Sequence, residues 1–99
     1  MKKISIITPC YNEELNVELC AKELATVFEN NLPKYKYEHI FADNASTDST
    51  LEKLRTLAKK DKRIKVIANS RNVGPFRNMW NAMKSATGDA VIPLLPADL

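Results

Sequence analysis

The sequence predicts an α/β domain of Rossmann-like architecture: a mostly parallel sheet of four strands, in the order βαβαβαβ, with helices on both faces. Three observations carry that prediction. Short runs rich in β-branched residues alternate with stretches of helical period. The connections between them are short and polar. The length of 99 residues suits one small core rather than two. Strands linked in turn by helices imply parallel pairing and crossovers of one hand.

Each element has its own signal. Ile4 to Thr8 is a nearly continuous β-branched run, as expected of a strand buried on both faces. Apolar residues at 17, 20, 24, 27 and 28 then mark one face of a helix running from about Leu15 to Phe28. Asn30-Asn31-Leu32-Pro33 ends it. Tyr37 to Ala42 reads as the second strand, closing on Asp43-Asn44. The second helix starts within Ser46 to Thr50: Ser49 and Glu52 have capping-box spacing, and Leu51, Leu54, Leu57 and Ala58 give a buried stripe. Ile64 to Ala68 is the third strand. Gly74-Pro75 opens the third helix, with proline in the first turn where a missing N–H costs little. Phe76, Met79, Trp80 and Met83 are expected to line its inner face, with Gly88 as its C′ residue. Ala90 to Leu95 is the fourth strand. With no covering helix after it, the 99 residues are expected to be a single domain belonging to a longer protein.

Composition narrows the class. The chain is 44% hydrophobic and 27% charged, with 15 basic and 12 acidic residues and a net charge of +3. That surplus suits a small anionic ligand or an acidic membrane surface. Nucleic acid is not indicated, because no basic patch is interleaved with aromatic residues. Cys10 and Cys20 match no metal-ligand spacing and are expected to be reduced thiols in apolar surroundings. No signal-peptide pattern opens the chain and no stretch approaches the ~20 apolar residues of a bilayer span. The expected location is therefore cytoplasmic.

In an open parallel sheet, ligands bind beyond the carboxyl ends of the strands. The residues there are Pro9 to Glu13, Asp43 to Asp48, Asn69 to Asn72 and Pro96 to Asp98, a rim of carboxylates, amides and hydroxyls fed by apolar strands. The only two glycines, Gly74 and Gly88, cannot form a dinucleotide fingerprint or a P-loop. A phosphate-bearing ligand therefore calls for a chelated cation, and Asp98 is the candidate ligand to it. Tyr11 offers a ring for stacking a base, and Glu13 an acceptor for sugar hydroxyls or base N–H groups. Asp43 suits an N–H donor such as the imide of uracil. Arg71 and Arg77 are cations within reach of a diphosphate, each also readable as a solvated surface arginine. His39 reads as a buried or edge histidine, and Lys59 to Arg63 as a solvated helix end.

Taken together, five segments resemble family 2 glycosyltransferases. They are Ile4 to Glu14, Asp43 to Thr50 (similar to "D-[DN]-[GA]-S-x-D-x-T"), Ser70-Arg71-Asn72-Val73-Gly74, Gly88-Asp89-Ala90, and Pro96-Ala97-Asp98-Leu99. The last looks like the start of a "D-x-D-L-Q" motif in which Pro96 stands where the first aspartate is usual. The resemblance covers the whole chain and leans toward polyprenyl-phosphate sugar synthases of the dolichol-phosphate mannosyltransferase type. It implies the N-terminal, nucleotide-binding half of a GT-A fold, cut at its metal motif, as one domain over 1–99. It further implies transfer of a sugar, with inversion, from a nucleoside diphosphate sugar (UDP for preference) to an acceptor such as a polyprenyl phosphate. Pro9, Tyr11 and Glu13 would border the nucleoside, Asp43 would read the base, and Asp98 would hold magnesium or manganese. Catalytic residues would lie beyond Leu99. The rivals are a non-catalytic sugar-nucleotide-binding module and a sugar-1-phosphate nucleotidyltransferase. The second wants a glycine-rich basic loop after the first strand, which Pro9 to Glu14 lacks.

Overall fold

The computed structural model describes residues 2–93. Its elements are β1 (Lys3–Cys10), α1 (Val17–Asn31), β2 (Lys36–Asp43), α2 (Thr50–Lys60), β3 (Ile64–Ala68), α3 (Pro75–Lys84) and β4 (Ala90–Pro93). The fourth strand is thus seen to Pro93. Leu94 and Leu95, expected to continue it, lie outside the described residues. All three pairings are parallel, and the strand order is β3-β2-β1-β4.

That order dictates where the helices go. The chain steps from β1 to β2 to β3 in one direction, then returns to the far side of β1. Crossovers of a single hand must therefore lay α1 and α2 on one face and α3 on the other. Burial agrees. Cys10, Val17, Phe41 and Leu54 meet between the sheet and α1 and α2, and Ile6, Phe28 and Tyr37 extend that layer toward the strands' amino ends. Ile7, Ile40, Ala42 and Ala82 form the opposite layer under α3. Alternation along β2 sends Tyr37, His39 and Phe41 to the first face, and Glu38, Ile40 and Ala42 to the second.

Four details depart from expectation. The face of α3 is the largest. Phe76 is 91% and Trp80 60% exposed, and Met83 is also exposed; of the four only Met79 packs on the core, beside buried Asn78 and Ala82. Apolar spacing reveals a stripe but not which side meets the sheet. Here small Ala82 permits close approach, and the Asn78 amide bonds the Ala42 carbonyl at 3.0 Å. Second, Gly88 is not a helix C′ residue, because α3 ends at Lys84 with Ser85 as its cap. Glycine is required at 88 by proximity: a Cβ would lie 2.6 Å from Ser5 Oγ and 2.7 Å from the Ser5 nitrogen. Third, Ser49 stands at the N-cap of α2 without capping through its side chain. The Thr50 N–H instead donates to Asp48 Oδ1 at 2.9 Å. Fourth, on α1 the buried stripe is Val17, Ala21 and Phe28, with Val27 exposed.

Candidate functional site

Two loops build the site, and polar side chains lock them together. β1 and β2 run in register to their ends, placing Cys10 beside Asp43, and the Asn44 N–H donates to the Cys10 carbonyl at 2.9 Å. Beyond that point the chains would part, but Asn12 holds them. Its Oδ1 accepts from the N–H groups of Thr47 (2.8 Å) and Asp48 (3.3 Å), and its own N–H donates to Ser46 Oγ at 3.0 Å. The Glu13 N–H donates to the hydroxyl of buried Thr50 at 2.8 Å.

Two residues here adopt left-handed backbone without being glycine, Asn12 at φ 53° and Ala45 at φ 61°. A left-handed alanine costs roughly 1–2 kcal/mol, and such strain clusters at ligand sites.

The amino end of α2 is already occupied. Ser49 N–H donates to Glu14 Oε2 at 3.2 Å and Thr50 N–H to Asp48. Partial burial pushes the Asp48 carboxyl up, but the hydroxyl and N–H of Thr50 outweigh it and hold it below the usual carboxylate range. The first N–H of the helix is thus spent on a carboxylate.

A hollow of about 330 Å³ opens past the carboxyl ends of β1 and β2, lined by Pro9, Cys10, Tyr11 and Glu13 of the first loop and by Asn44, Asn72, Pro75 and Asn78. Tyr11 is exposed there, and Glu13 Oε2 accepts from Asn16 Nδ2 at 3.0 Å. Asp43 sits behind the lining, 1% exposed, with Oδ1 accepting from Ser46 Oγ (2.5 Å) and Oδ2 from Ser46 N–H (3.2 Å). Arg71 and Arg77 are exposed on the flanking loop and on α3, outside the lining. Asp98 lies outside the described residues. The thiol of Cys10, its pKa pushed up by burial and then by Asp43, is inert packing.

Sequence reasoning placed Asn44, Asn69 and Asn72 on the rim but missed the network they form and missed Asn78 altogether. Asn78 Oδ1 accepts from Asn69 Nδ2 (2.8 Å), which also reaches Asn44 Oδ1 (3.1 Å). Asn44 Nδ2 donates to Asn72 Oδ1 at 2.9 Å. Those oxygens also receive the N–H groups of Val73 (3.0 Å) and Gly74 (2.9 Å). One amide chain thus ties the ends of β2 and β3 to α3 and shapes the far wall. The one available signal was a polar Asn78 in mid-helix, where its side chain must find a partner if buried.

A parallel sheet in the order 3-2-1-4, with a hollow at the carboxyl ends of its central strands, defines an open Rossmann-like α/β protein. Within that class the chain belongs to glycosyl transferase family 2, whose profile matches residues 5–99. It is 35% identical over 97 residues to a dolichol-phosphate mannosyltransferase of Pyrococcus furiosus, covering 98% of this chain and 26% of that protein. It is 32% identical over 92 residues to a prophage bactoprenol glucosyl transferase homolog of Escherichia coli, covering 93% and 29%. Among solved structures, the Pyrobaculum calidifontis mannosyltransferase PcManGT, in complex with GDP-Man and Mn2+, superposes with a TM-score of 0.70 at 27% identity, covering 91% of this chain and 26% of that one. The sheet is accordingly that of GT-A glycosyltransferases. The chain spans less than a third of the length of each of these proteins.

Proposed function

We propose that this chain supplies the donor-binding part of a glycosyltransferase that moves a sugar, with inversion, from a nucleoside diphosphate sugar to a lipid-linked phosphate at the cytoplasmic face of a membrane. The observation that carries the proposal is the hollow at the carboxyl end of the sheet, lined by Pro9, Tyr11, Glu13 and Asn44, with the segment after β2 stitched to the segment after β1 through Asn12 and Thr50. The acceptor class rests on the two relatives named for dolichol phosphate and bactoprenol. No helix among the described residues is long and apolar enough to cross a membrane.

In this reading Pro9 and Tyr11 pack against the nucleoside and Glu13 accepts from sugar hydroxyls. Asp43 accepts the imide N–H of uracil, using lone pairs that Ser46 leaves open. Guanine offers a similar ring N–H, and the Pyrobaculum neighbour holds GDP-Man, so GDP is the control ligand. Arg71 and Arg77 stand where a diphosphate leaving the hollow would pass. Among the described residues no three His, Cys, Asp or Glu side chains converge as a metal cage. A magnesium or manganese ion would therefore rest on Asp98 and on phosphate oxygens, an arrangement magnesium commonly uses, and when bound it neutralises charge on the departing diphosphate. The transfer forms a bond from an acceptor phosphate oxygen to the anomeric carbon as the bond to the diphosphate oxygen breaks on the opposite side.

Calorimetric titration of UDP and GDP, with and without manganese, tests this on the wild-type chain and Asp43→Ala. Manganese-dependent UDP binding, weakened about tenfold or more in the variant, is expected for a lost hydrogen bond to a charged group. Equal, metal-independent affinity in both proteins would overturn the assignment.

A further inference from the structure

We propose that a second hollow, at the opposite end of the sheet, is a binding site for a phosphate-bearing anion. It lies under the amino ends of β1, β2 and β3, measures about 750 Å³, and is lined by Lys3, Lys36, Lys62, Arg63 and Lys65, with Glu29 and Glu38 as its only carboxylates. Five cations against two carboxylates leave a surplus of three, equal to the surplus of the whole chain. The other residues of the chain sum to no net charge, and Asp61, bonded to Arg63 beside the hollow, brings the local surplus to two. A hollow of that size fits a small ligand, whereas a protein partner needs roughly 800 Å² of matching surface.

The cations are not equivalent. Lys65 is paired with Glu38, Lys3 lies 3.6 Å from the same carboxylate, and Arg63 turns its guanidinium fork onto Asp61 at 3.0 Å while stacking over Tyr37. Lys36 and Lys62 have no ion-pair partner among the described residues, and both are exposed. What the hollow offers is thus ammonium point charges without an open arginine fork. Planar carboxylates are best met by a fork, and phosphate oxygens are well met by lysine. The wall behind is rigid: Phe28 and Tyr37 stack at 4.3 Å, and Glu38 fixes the two paired lysines. Only Lys36 and Lys62 need reorganise on binding.

The test uses tripolyphosphate as the free anion and phosphatidylglycerol vesicles as the headgroup source, both in EDTA so that metal-dependent binding elsewhere stays silent. The comparison is wild type against Lys36→Glu/Lys62→Glu, whose exposed positions leave the fold intact, as circular dichroism would verify. Binding that weakens with salt and falls about tenfold or more in the double variant is expected, since each change replaces an attraction by a repulsion. Tripolyphosphate binding assigns a soluble ligand, and binding of vesicles alone assigns a lipid headgroup. Binding of neither, or equal binding by both proteins, overturns the proposal.

Discussion

β2 carries a buried carboxylate near each end, Glu38 and Asp43, and both are 1% exposed. Their surroundings could hardly differ more. Glu38 is saturated: it accepts from Lys65 Nζ, from Ser5 Oγ at 2.5 Å and from the Thr87 N–H at 2.6 Å, with Lys3 nearby. Burial pushes its carboxyl up, but those donors outweigh burial and bring it down to about 2. Asp43 has the N–H and hydroxyl of a single serine and, among the described residues, no cation. Equal burial therefore conceals two roles. At the amino end a carboxylate staples the loop before β4 to the sheet. At the carboxyl end the Asp43 carboxylate accepts, among the described residues, from Ser46 alone, and the proposed donor site would use the capacity left over. Loss of Glu38 should cost stability, and loss of Asp43 should cost donor binding.

Acid should expose the amino half most strongly. His39 is buried with Nε2 on Thr8 Oγ1 at 2.8 Å and Nδ1 without a partner, and burial lowers its pKa from 6.5 to about 4. The unfolded chain binds that proton first, so this stability is present above pH 6.5 and is lost as pH falls toward 4. The shift corresponds to about 3 kcal/mol. Glu38, lowered from 4.5 to about 2, adds a second loss between those values. Urea midpoints measured from pH 7 to 3 should fall in these two steps, and a flat profile would contradict both assignments.

Glu38→Gln should cost about 2–3 kcal/mol by urea denaturation, somewhat below the usual cost of breaking a buried pair because its lysines can turn to water. Donor-nucleotide affinity should hardly change. Asp43→Ala should show the reverse balance, a small loss of stability beside the binding loss described above. If the two variants exchanged effects, the distinction between the ends of β2 would fail. Gly88→Ala comes next at about 2 kcal/mol, since its Cβ would press on the Ser5 backbone that Glu38 helps to hold. Smallest of all, Phe76→Ser should shift stability by less than about 0.5 kcal/mol. A large loss on thermal melting would mean that the apolar stripe of α3 is packed after all.

Much of this was legible from the chain alone. The order of elements, the parallel sheet, β3 at Ile64–Ala68 and the placement of Pro9, Tyr11 and Glu13 on one hollow all follow from period and from the rule for parallel sheets. The far wall was not legible. Asn44, Asn69 and Asn72 read as rim residues, and nothing local distinguishes an asparagine that faces a ligand from one that bonds a neighbouring loop. Asn78 carries a weak trace, a polar residue at mid-helix, outweighed in the sequence by Phe76 and Trp80.

The sequence by itself determined which segments become strands and helices and which loops share the carboxyl rim, because periodicity is set among neighbours along the chain. Tertiary structure alone decided which face of α3 meets the sheet, why position 88 must be glycine, and which buried carboxylate is saturated. Glu38 draws its partners from 27, 33 and 49 residues away. No local pattern encodes whether such distant donors arrive, and their arrival is what separates Glu38 from Asp43.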